Sequence, residues 1–263
     1  SFTGYIQGDL EELFYPNQAI SREETAKMLG RIIPEIETPR GAMEDFNDYK
    51  LISDEALQGV DLLVRKGYMS GYPDGTLRPD GKLTRAEAAK LIVKILDNET
   101  IISEDVSVKN SGDILKDSIY VGDIYVEESV AYGDALLDNI VALSKVYIEG
   151  GGSNTIDINN SYIVRLIITK VDGLARVVVQ GNSYVFNSFI FNGNRLVDQD
   201  NNPGSPWKNL FGGIIKVEGR VDKETALNIA RSIEDLINST GRLTPEMVEE
   251  GAQSVLANSQ ANS

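Results

Sequence analysis

The first hundred residues repeat apolar side chains at intervals of three and four positions, which is the spacing of an α-helix with one buried face. Three such stripes are present: Ala26, Leu29 and Ile33; Leu57, Val60, Leu63 and Val64; and Ala88, Leu91, Ile92 and Ile95. Pro34 ends the first stripe, and Gly67 follows the second in a position typical of helix termination. The pattern predicts three helices, the second of which runs from about residue 54 to residue 66.

Two of these helices begin with the same start signal. Ser21-Arg22-Glu23-Glu24 and Thr84-Arg85-Ala86-Glu87 each place a hydroxyl residue three positions before a glutamate, which is the sequence of a capping box. A helix start offers free backbone N–H groups, and a guanidinium beside it adds donors for a carboxylate or a phosphate. Both starts are therefore candidate anion sites.

The pattern changes near residue 98. Between residues 113 and 197, short apolar runs alternate with Gly, Asn and Asp. Segments beginning at Leu137, Ile158 and Val179 share one frame at a spacing of 21. A repeat of this length with polar corners predicts a parallel β-helix of about four turns, and a small β-sandwich or barrel is the alternative. Asn139 and Asn160 hold equivalent corners, which predicts an amide ladder.

The helical part repeats itself over a distance of 63 residues without a gap. GYIQGDLEELFYPNQAISREE at 4–24 aligns with GYMSGYPDGTLRPDGKLTRAE at 67–87. The identical positions are Gly4 and Gly67, Tyr5 and Tyr68, Gly8 and Gly71, Pro16 and Pro79, Arg22 and Arg85, and Glu24 and Glu87. The two copies share their turn residues and one arginine but differ at apolar positions. The repeat therefore indicates a structural module with a site at its turn.

The second copy resembles the S-layer homology module. The residues that carry the resemblance are Phe46-Asn47-Asp48, Gly67-Tyr68, Tyr72-Pro73-Asp74-Gly75-Thr76 and Leu83-Thr84-Arg85-Ala86-Glu87. The resemblance covers about residues 1–97 and implies a surface protein of a Gram-positive, clostridial-type bacterium. Such a protein is expected to be extracellular, in the cell wall or S-layer, and to attach non-covalently to an acidic secondary polysaccharide of the wall.

We predict an α+β protein in three parts. Residues 1–98 form α-helical S-layer homology modules, with a partial module at 1–41 and a full module at 44–97. Residues 99–220 form a short parallel β-helix or solenoid, which is also similar to parts of some clostridial surface proteins with these modules. Residues 221–263 form a C-terminal helical segment. The family usually carries three modules, whereas the first copy here starts after its first helix would have ended.

The C-terminal segment has its own helix signals. Asp222 can cap a helix with Ala226, Ile229 and Ile233 on one face, and Thr244-Pro245 can start another helix. Residues 257–263 are expected to fray. Because exposed strand edges invite association, we expect the modules and this segment to cover the two ends of the stack. The alternative is that the tail helix completes the first module, in cis or from a neighbouring chain.

The candidate polysaccharide-binding residues are Arg85, Arg22, Thr84, Gly71, Tyr72, Asp74 and Asp48. The arginines suit an acidic sugar, such as one with a pyruvate ketal, which the resemblance implies as ligand. Gly71 lets a sugar approach the backbone, and Tyr72 offers a ring face and a hydroxyl. Structural roles are the alternative for each: an internal ion pair for Arg85, a turn for Asp74 and a cap for Asp48. Tyr68 is expected to be a core residue.

Composition excludes several function classes. The chain has 263 residues and no histidine or cysteine, so zinc and copper sites, a Ser-His triad and disulfides are not expected. We predict no metal and no cofactor. The net charge is −15 without a basic stripe, which argues against nucleic acid as a partner. No apolar run approaches 18 residues, and no leader peptide is recognisable at Ser1, which suggests a processed chain or a fragment.

Catalysis is the least favoured reading of the β region. Asp138 with Asp157, and Lys170 or Arg165 nearby, could form a carboxylate and basic cluster such as polysaccharide-cleaving enzymes use. Asp at solenoid corners is more simply a turn residue, and a short stack leaves little room for a substrate groove. Trp207 is expected to clamp the β region. We therefore predict a non-catalytic protein with a display or assembly domain; the alternative is a self-assembling S-layer or filament subunit that contacts further copies of itself.

Overall fold

The computed structural model describes residues 18–36, 40–152, 155–198, 214–217 and 220–240. The glycine turn of the first repeat, Trp207 and the helix expected from Thr244 lie outside these residues. The described residues form two compact units. The helical unit holds those up to Ile101 together with Asp117–Ile119, and the solenoid unit holds the others.

The helical unit contains the three predicted helices: α1 (Arg22–Leu29), α2 (Leu57–Arg65) and α3 (Arg85–Asn98). Short 3-10 turns at Ala42–Asp45 and Tyr49–Leu51 precede α2. Both predicted capping boxes are present, with Ser21 and Glu24 at the start of α1 and Thr84 and Glu87 at the start of α3. The helix α1 ends four residues before the end of its apolar stripe, although Ile33 remains buried.

Helices α1 and α2 approach each other closely because glycines lie at their contact. A Cβ atom at Gly59 would lie 2.3 Å from the carbonyl oxygen of Ala26, and one at Gly30 would lie 2.5 Å from the Cα of Gly59. Both distances are far below van der Waals contact, so only glycine fits at these positions. Around this contact, Ala26, Val60 and Leu63 are fully buried in the core of the unit.

Thirteen short strands lie among the described residues, most of them wholly within the solenoid unit. They are β1 (Ile101–Ile102), β2 (Val106–Val108), β3 (Asp113–Lys116), β4 (Ile119–Tyr120), β5 (Ile124–Val126), β6 (Ala135–Asp138), β7 (Val141–Ile148), β8 (Thr155–Asn159), β9 (Tyr162–Ile168), β10 (Arg176–Gln180), β11 (Tyr184–Ile190), β12 (Arg195–Asp198) and β13 (Ile214–Lys216). One sheet has the order β1-β4-β7-β9-β11-β13, with β5 paired to β2 and β7, and the other has the order β12-β10-β8-β6-β3.

Parallel pairing between successive turns confirms the predicted parallel β-helix. Leu137 pairs with Ile158, and Ile158 pairs with Val179, in the frame that the 21-residue spacing predicts. These side chains are buried in a continuous interior between the two sheets. Among the described residues, five turns place a strand in each sheet, one more than the sequence suggested.

The corner after β6, β8 and β10 explains the Asn and Gly positions of the repeat. Asn139, Asn160 and Gly181 all adopt a left-handed backbone, with φ of 54°, 47° and 64°. Asn and Gly are the residues that tolerate this conformation best. A side-chain ladder lies one residue earlier, where Asn159 Nδ2 donates to Asp138 Oδ1 at 2.7 Å.

The last described element, α4 (Lys223–Thr240), packs on the side of the solenoid instead of at its end. Asp222 caps it, accepting from the backbone N–H of Thr225 at 2.8 Å. Its buried residues Ala226, Ile229, Ala230 and Ile233 contact Ile167, Phe189 and Ile215. The expectation that this helix covers an end of the stack is therefore wrong, because the outer face of the first sheet is itself apolar and needs cover.

Candidate functional site

A cleft of about 160 Å³ opens in the helical unit. We call residues 67–78 the glycine loop, and the cleft lies between the start of this loop and one face of α3, with Arg22 of α1 reaching in. The lining residues are Arg22, Tyr68, Met69, Ser70, Gly71, Tyr72, Leu83, Glu87, Lys90, Leu91 and Lys94. Three of the sequence-predicted site residues meet here: Arg22, Gly71 and Tyr72.

The glycine loop is shaped by residues from the preceding segment. A Cβ atom at Gly71 would lie 2.3 Å from the ring of Phe46, so glycine allows this ring to pack under the loop. The carboxylate of Asp48 accepts from the backbone N–H groups of Leu77 and Arg78 at 2.7 and 2.8 Å. Asp48 thus holds the backbone of the glycine loop, whereas its side chain makes no hydrogen bond to the following turn at Tyr49–Leu51, which it was expected to cap.

Arg22 holds the first repeat to the second. Its Nε donates to the carbonyl oxygen of Leu77 at 2.8 Å, and its Nη2 donates to that of Ser70 at 2.7 Å. The guanidinium also lies 5.1 Å from the ring centre of Tyr72. Only 6% of the surface of Arg22 is exposed, and two of its hydrogen-bond donors are engaged by backbone carbonyl groups. Its Nη1, which lies 3.8 Å from Glu87 Oε1, faces the carboxylate side of the cleft.

Among the described lining residues Glu87 is the one carboxylate, and its charge is held in place by the start of α3. It accepts from the backbone N–H of Thr84 at 2.9 Å and from the hydroxyl of Thr84 at 2.7 Å. These hydrogen bonds lower the pKa of Glu87 below its usual value. Tyr72 donates its hydroxyl to the same carboxylate at 3.2 Å, which fixes the ring at the cleft wall.

Two lysines of α3 were missed by the sequence reasoning. Lys90 and Lys94 lie one turn apart and line the cleft together with Glu87 and Leu91. Lys94 donates to the carbonyl oxygen of Gly67 at 2.6 Å, whereas no hydrogen bond or ion pair joins Lys90 to any described residue. The spacing 87, 90, 91, 94 is one helix face, so the signal was present in the sequence. It could be recognised only once Glu87 was placed beside the glycine loop.

Tyr68 is a core residue, as expected, although its ring borders the cleft. Its side chain is 8% exposed, and its hydroxyl donates to Glu99 Oε1 at 2.6 Å. Burial raises the pKa of Tyr68 above its ordinary value, and the carboxylate of Glu99 adds a smaller contribution in the same direction. Lys66 pairs with the same carboxylate at 2.6 Å, so this corner is a buried structural network.

The remaining predicted site residues lie outside the cleft lining. Arg85 is exposed at the first position of α3, with no hydrogen bond or ion pair to any described residue. Thr84 is occupied as the N-cap of α3. Asp74 accepts from Thr76 Oγ1 at 2.6 Å and from Arg78 Nη2 at 2.8 Å, and these bonds lower the pKa of Asp74 to about 2.

The residues considered for catalysis in the β region make structural contacts. Asp138 accepts from Asn159 within the corner ladder, and Asp157 accepts from Thr155 Oγ1 at 2.9 Å. Lys170 is buried and donates to the carbonyl oxygen of Ala131 at 2.9 Å. Within the described ranges, no cluster of three or more metal-ligating residues occurs, and no helix has the length and apolarity needed to cross a membrane.

Residues 45–89 match the S-layer homology domain. This confirms the resemblance seen in the sequence for the second module, and it indicates a cell-surface location. The match starts one residue before Phe46 and ends within α3, so it contains the glycine loop and most of the cleft lining.

Similar proteins include anchoring proteins as well as enzymes. The chain is 31% identical to a cellulosome-anchoring protein of Acetivibrio thermocellus over 132 residues, which are 49% of this chain and 29% of that protein. It is 34% identical to the exoglucanase XynX of the same species over 97 residues, 36% of this chain and 9% of that protein. Over 42 residues it is 50% identical to the outer membrane protein SlpA of Deinococcus radiodurans, 16% of this chain and 4% of that protein.

The chain therefore spans less than a third of the length of these curated relatives. No solved structure matches the chain.

Proposed function

We propose that this chain attaches non-covalently to an acidic polysaccharide of the cell wall through the cleft of its helical unit. The solenoid unit then serves display or assembly and carries out no reaction. In this proposal residues 1–98 are the anchoring region, 99–220 the displayed domain and 221–263 its helical cover.

The observation that supports the proposal most is the charge of the cleft. The lining residues that the structure describes include three cationic side chains, Arg22, Lys90 and Lys94, against the single carboxylate of Glu87. The whole chain, by contrast, has a net charge of −15. A cationic hollow in a strongly acidic protein selects an anion locally while the rest of the surface repels it, which favours a few specific contacts over nonspecific adsorption.

The cleft also offers the other groups that sugar recognition needs. Tyr72 donates its hydroxyl to Glu87, which fixes the ring. The guanidinium of Arg22 lies 5.1 Å from the ring centre, and that of Arg78 lies 4.1 Å from it. Because both guanidiniums lie over this ring, the ring edge is what Tyr72 offers a sugar, while the ammonium of Lys90 can pair with a carboxylate on that sugar. Contacts of Arg85, Thr84, Asp74 and Asp48 with the glycan stay predictions.

The relatives support a role in attachment. The chain is similar, over comparable lengths, to proteins whose names describe cellulosome anchoring and an exoglucanase. A segment shared by proteins with such different activities is more simply an attachment module than the source of any one of those activities.

Sedimentation with purified cell-wall sacculi tests the proposal. The full chain should pellet with sacculi that keep their anionic polysaccharide and stay in solution with sacculi stripped of it. Lys90→Glu should abolish pelleting, because it places a repelling charge in the cleft. Lys50→Glu, an exposed lysine of the same unit outside the cleft lining, is the matched control. Equal pelleting with both kinds of sacculi would overturn the proposal.

Association with further copies of the chain is a second proposal. The observation that favours it is an apolar stripe on the exposed side of α3.

A further inference from the structure

Helix α3 exposes three large apolar side chains next to the core of its own unit. Ile92, Val93 and Leu96 are 51%, 53% and 59% exposed, while Leu91 and Ile95 on the adjacent face are buried. Among the α-helical residues whose exposure the structure describes, these three are the only large apolar side chains that are exposed. We call Ala89, Ile92, Val93 and Leu96 the α3 stripe. A contiguous apolar stripe that continues a core face indicates an interaction surface.

The 63-residue repeat shows that helices of this kind bury the same face. In α1 and the turn that follows it, the positions equivalent to Ala89, Ile92 and Leu96 are Ala26, Leu29 and Ile33, and these are 0%, 9% and 3% exposed. The first helical residue follows the same rule, since Arg22 is buried and Arg85 is exposed. The helix face that is buried in the first repeat is therefore exposed on α3, the helix of the second repeat.

Helix α2 covers α1, but the close glycine contact between these two helices cannot form at α3. Helix α2 approaches α1 at Gly30, where an added Cβ would lie 2.5 Å from the Cα of Gly59. The equivalent of Gly30 is Val93, so a helix that covers the α3 stripe must lie farther away and pack side chain against side chain. The enlargement from Gly30 to Val93 fits such a contact, while Ala26 and Leu29 are matched in size by Ala89 and Ile92.

A second copy of the chain offers one suitable helix face. The apolar faces of α1 and α2 cover each other, and that of α4 is buried on the solenoid. Among the described helices, this leaves the α3 stripe of the other copy. We propose that two copies of this chain pair through their α3 stripes, with the two helices antiparallel about a two-fold axis near Ala89 and Ile92.

Charge favours the antiparallel direction. Arg85 lies at the N-terminal end of α3, where its positive charge opposes the helix dipole, and it has no described partner. An antiparallel pair brings this guanidinium to the C-terminal end of the other helix, where the exposed Asp97 and the terminal backbone carbonyls are negative. A two-fold axis makes this contact twice.

Sedimentation velocity of the full chain over a wide concentration range tests the pairing. The wild type should associate to a dimer, and Ile92→Glu should weaken dimerisation more than about tenfold, as expected for a charge in the centre of an apolar contact. Ile114→Glu is the matched control, because Ile114 is 57% exposed but lies on β3 of the solenoid. A monomeric wild type, or equal effects of the two substitutions, would overturn the proposal.

The absence of cysteine allows a second measurement that does not depend on stability. Ala89→Cys should form a disulfide-linked dimer on mild oxidation, whereas Leu51→Cys, at a site 67% exposed in the same unit, should not. Equal cross-linking of both variants would contradict a specific pairing. Ile92→Glu should still pellet with sacculi, so loss of pairing and loss of polysaccharide binding can be told apart.

Discussion

At the scale of single residues, the two arginines of the repeat show what sequence can and cannot decide. Arg22 and Arg85 both lie between a hydroxyl N-cap residue and a glutamate two positions later, at the same place in a helix start, so both were predicted to bind an anion. Their environments differ because the contacts of Arg22 come from Ser70 and Leu77, about fifty positions later in the chain. Nothing local to Arg22 indicates that two of its donors are spent on backbone carbonyls.

We predict that Arg22→Ala lowers the free energy of unfolding of the helical unit by about 3 kcal/mol, because the buried carbonyl group of Leu77 and the partly buried hydrogen bond to Ser70 both lose a charged donor. Arg85→Ala should change it by no more than about 0.5 kcal/mol, the usual effect of an exposed substitution. Urea unfolding followed by circular dichroism compares these repeat-equivalent variants. Equal losses of stability would contradict the structural role assigned to Arg22.

At the scale of elements, the helix starts were predictable and some of their ends and faces were not. The capping boxes at Ser21 and Thr84 fix the first residue of α1 and of α3, because they depend on side chains within four positions. The α4 helix was also predicted, but its place on the side of the solenoid was not. That place depends on Ile167, Phe189 and Ile215, which come from three different turns.

The capping boxes make the helical unit sensitive to acid. Hydrogen bonds from the backbone of Ser21 and Thr84 lower the pKa of Glu24 and Glu87 below the ordinary value of 4.5. A depressed carboxyl pKa stabilises the fold above the unfolded-state pKa, and this contribution is lost as the pH falls below it. The melting temperature should therefore drop as the pH falls below about 4.5.

The double variant Glu24→Gln and Glu87→Gln provides the control for that prediction. Glutamine keeps an acceptor oxygen at the capping position but does not titrate, so the melting temperature of the variant should fall less over the same pH range. A pH dependence identical to that of the wild type would mean that other carboxylates cause the acid sensitivity.

At the scale of the whole molecule, periodicity was enough to predict the β-helix, because each turn repeats the same inward pattern. The frame of Leu137, Ile158 and Val179 is the register that the strands adopt. The cleft was only partly predictable, since Lys90 and Lys94 acquire their role from the placement of α3 beside the glycine loop. Tertiary placement, which local sequence does not encode, decides which charges share a site.

The account as a whole depends on the cleft recognising an acidic sugar, and a binding titration tests this most directly. The full chain is titrated with a sugar that carries a pyruvate ketal and with the same sugar without it. We predict that the acidic form binds at least about tenfold more tightly, which corresponds to one charge-assisted contact, and that Lys90→Glu removes the difference. Equal affinity for the two sugars, or a preference that survives Lys90→Glu, would contradict the account.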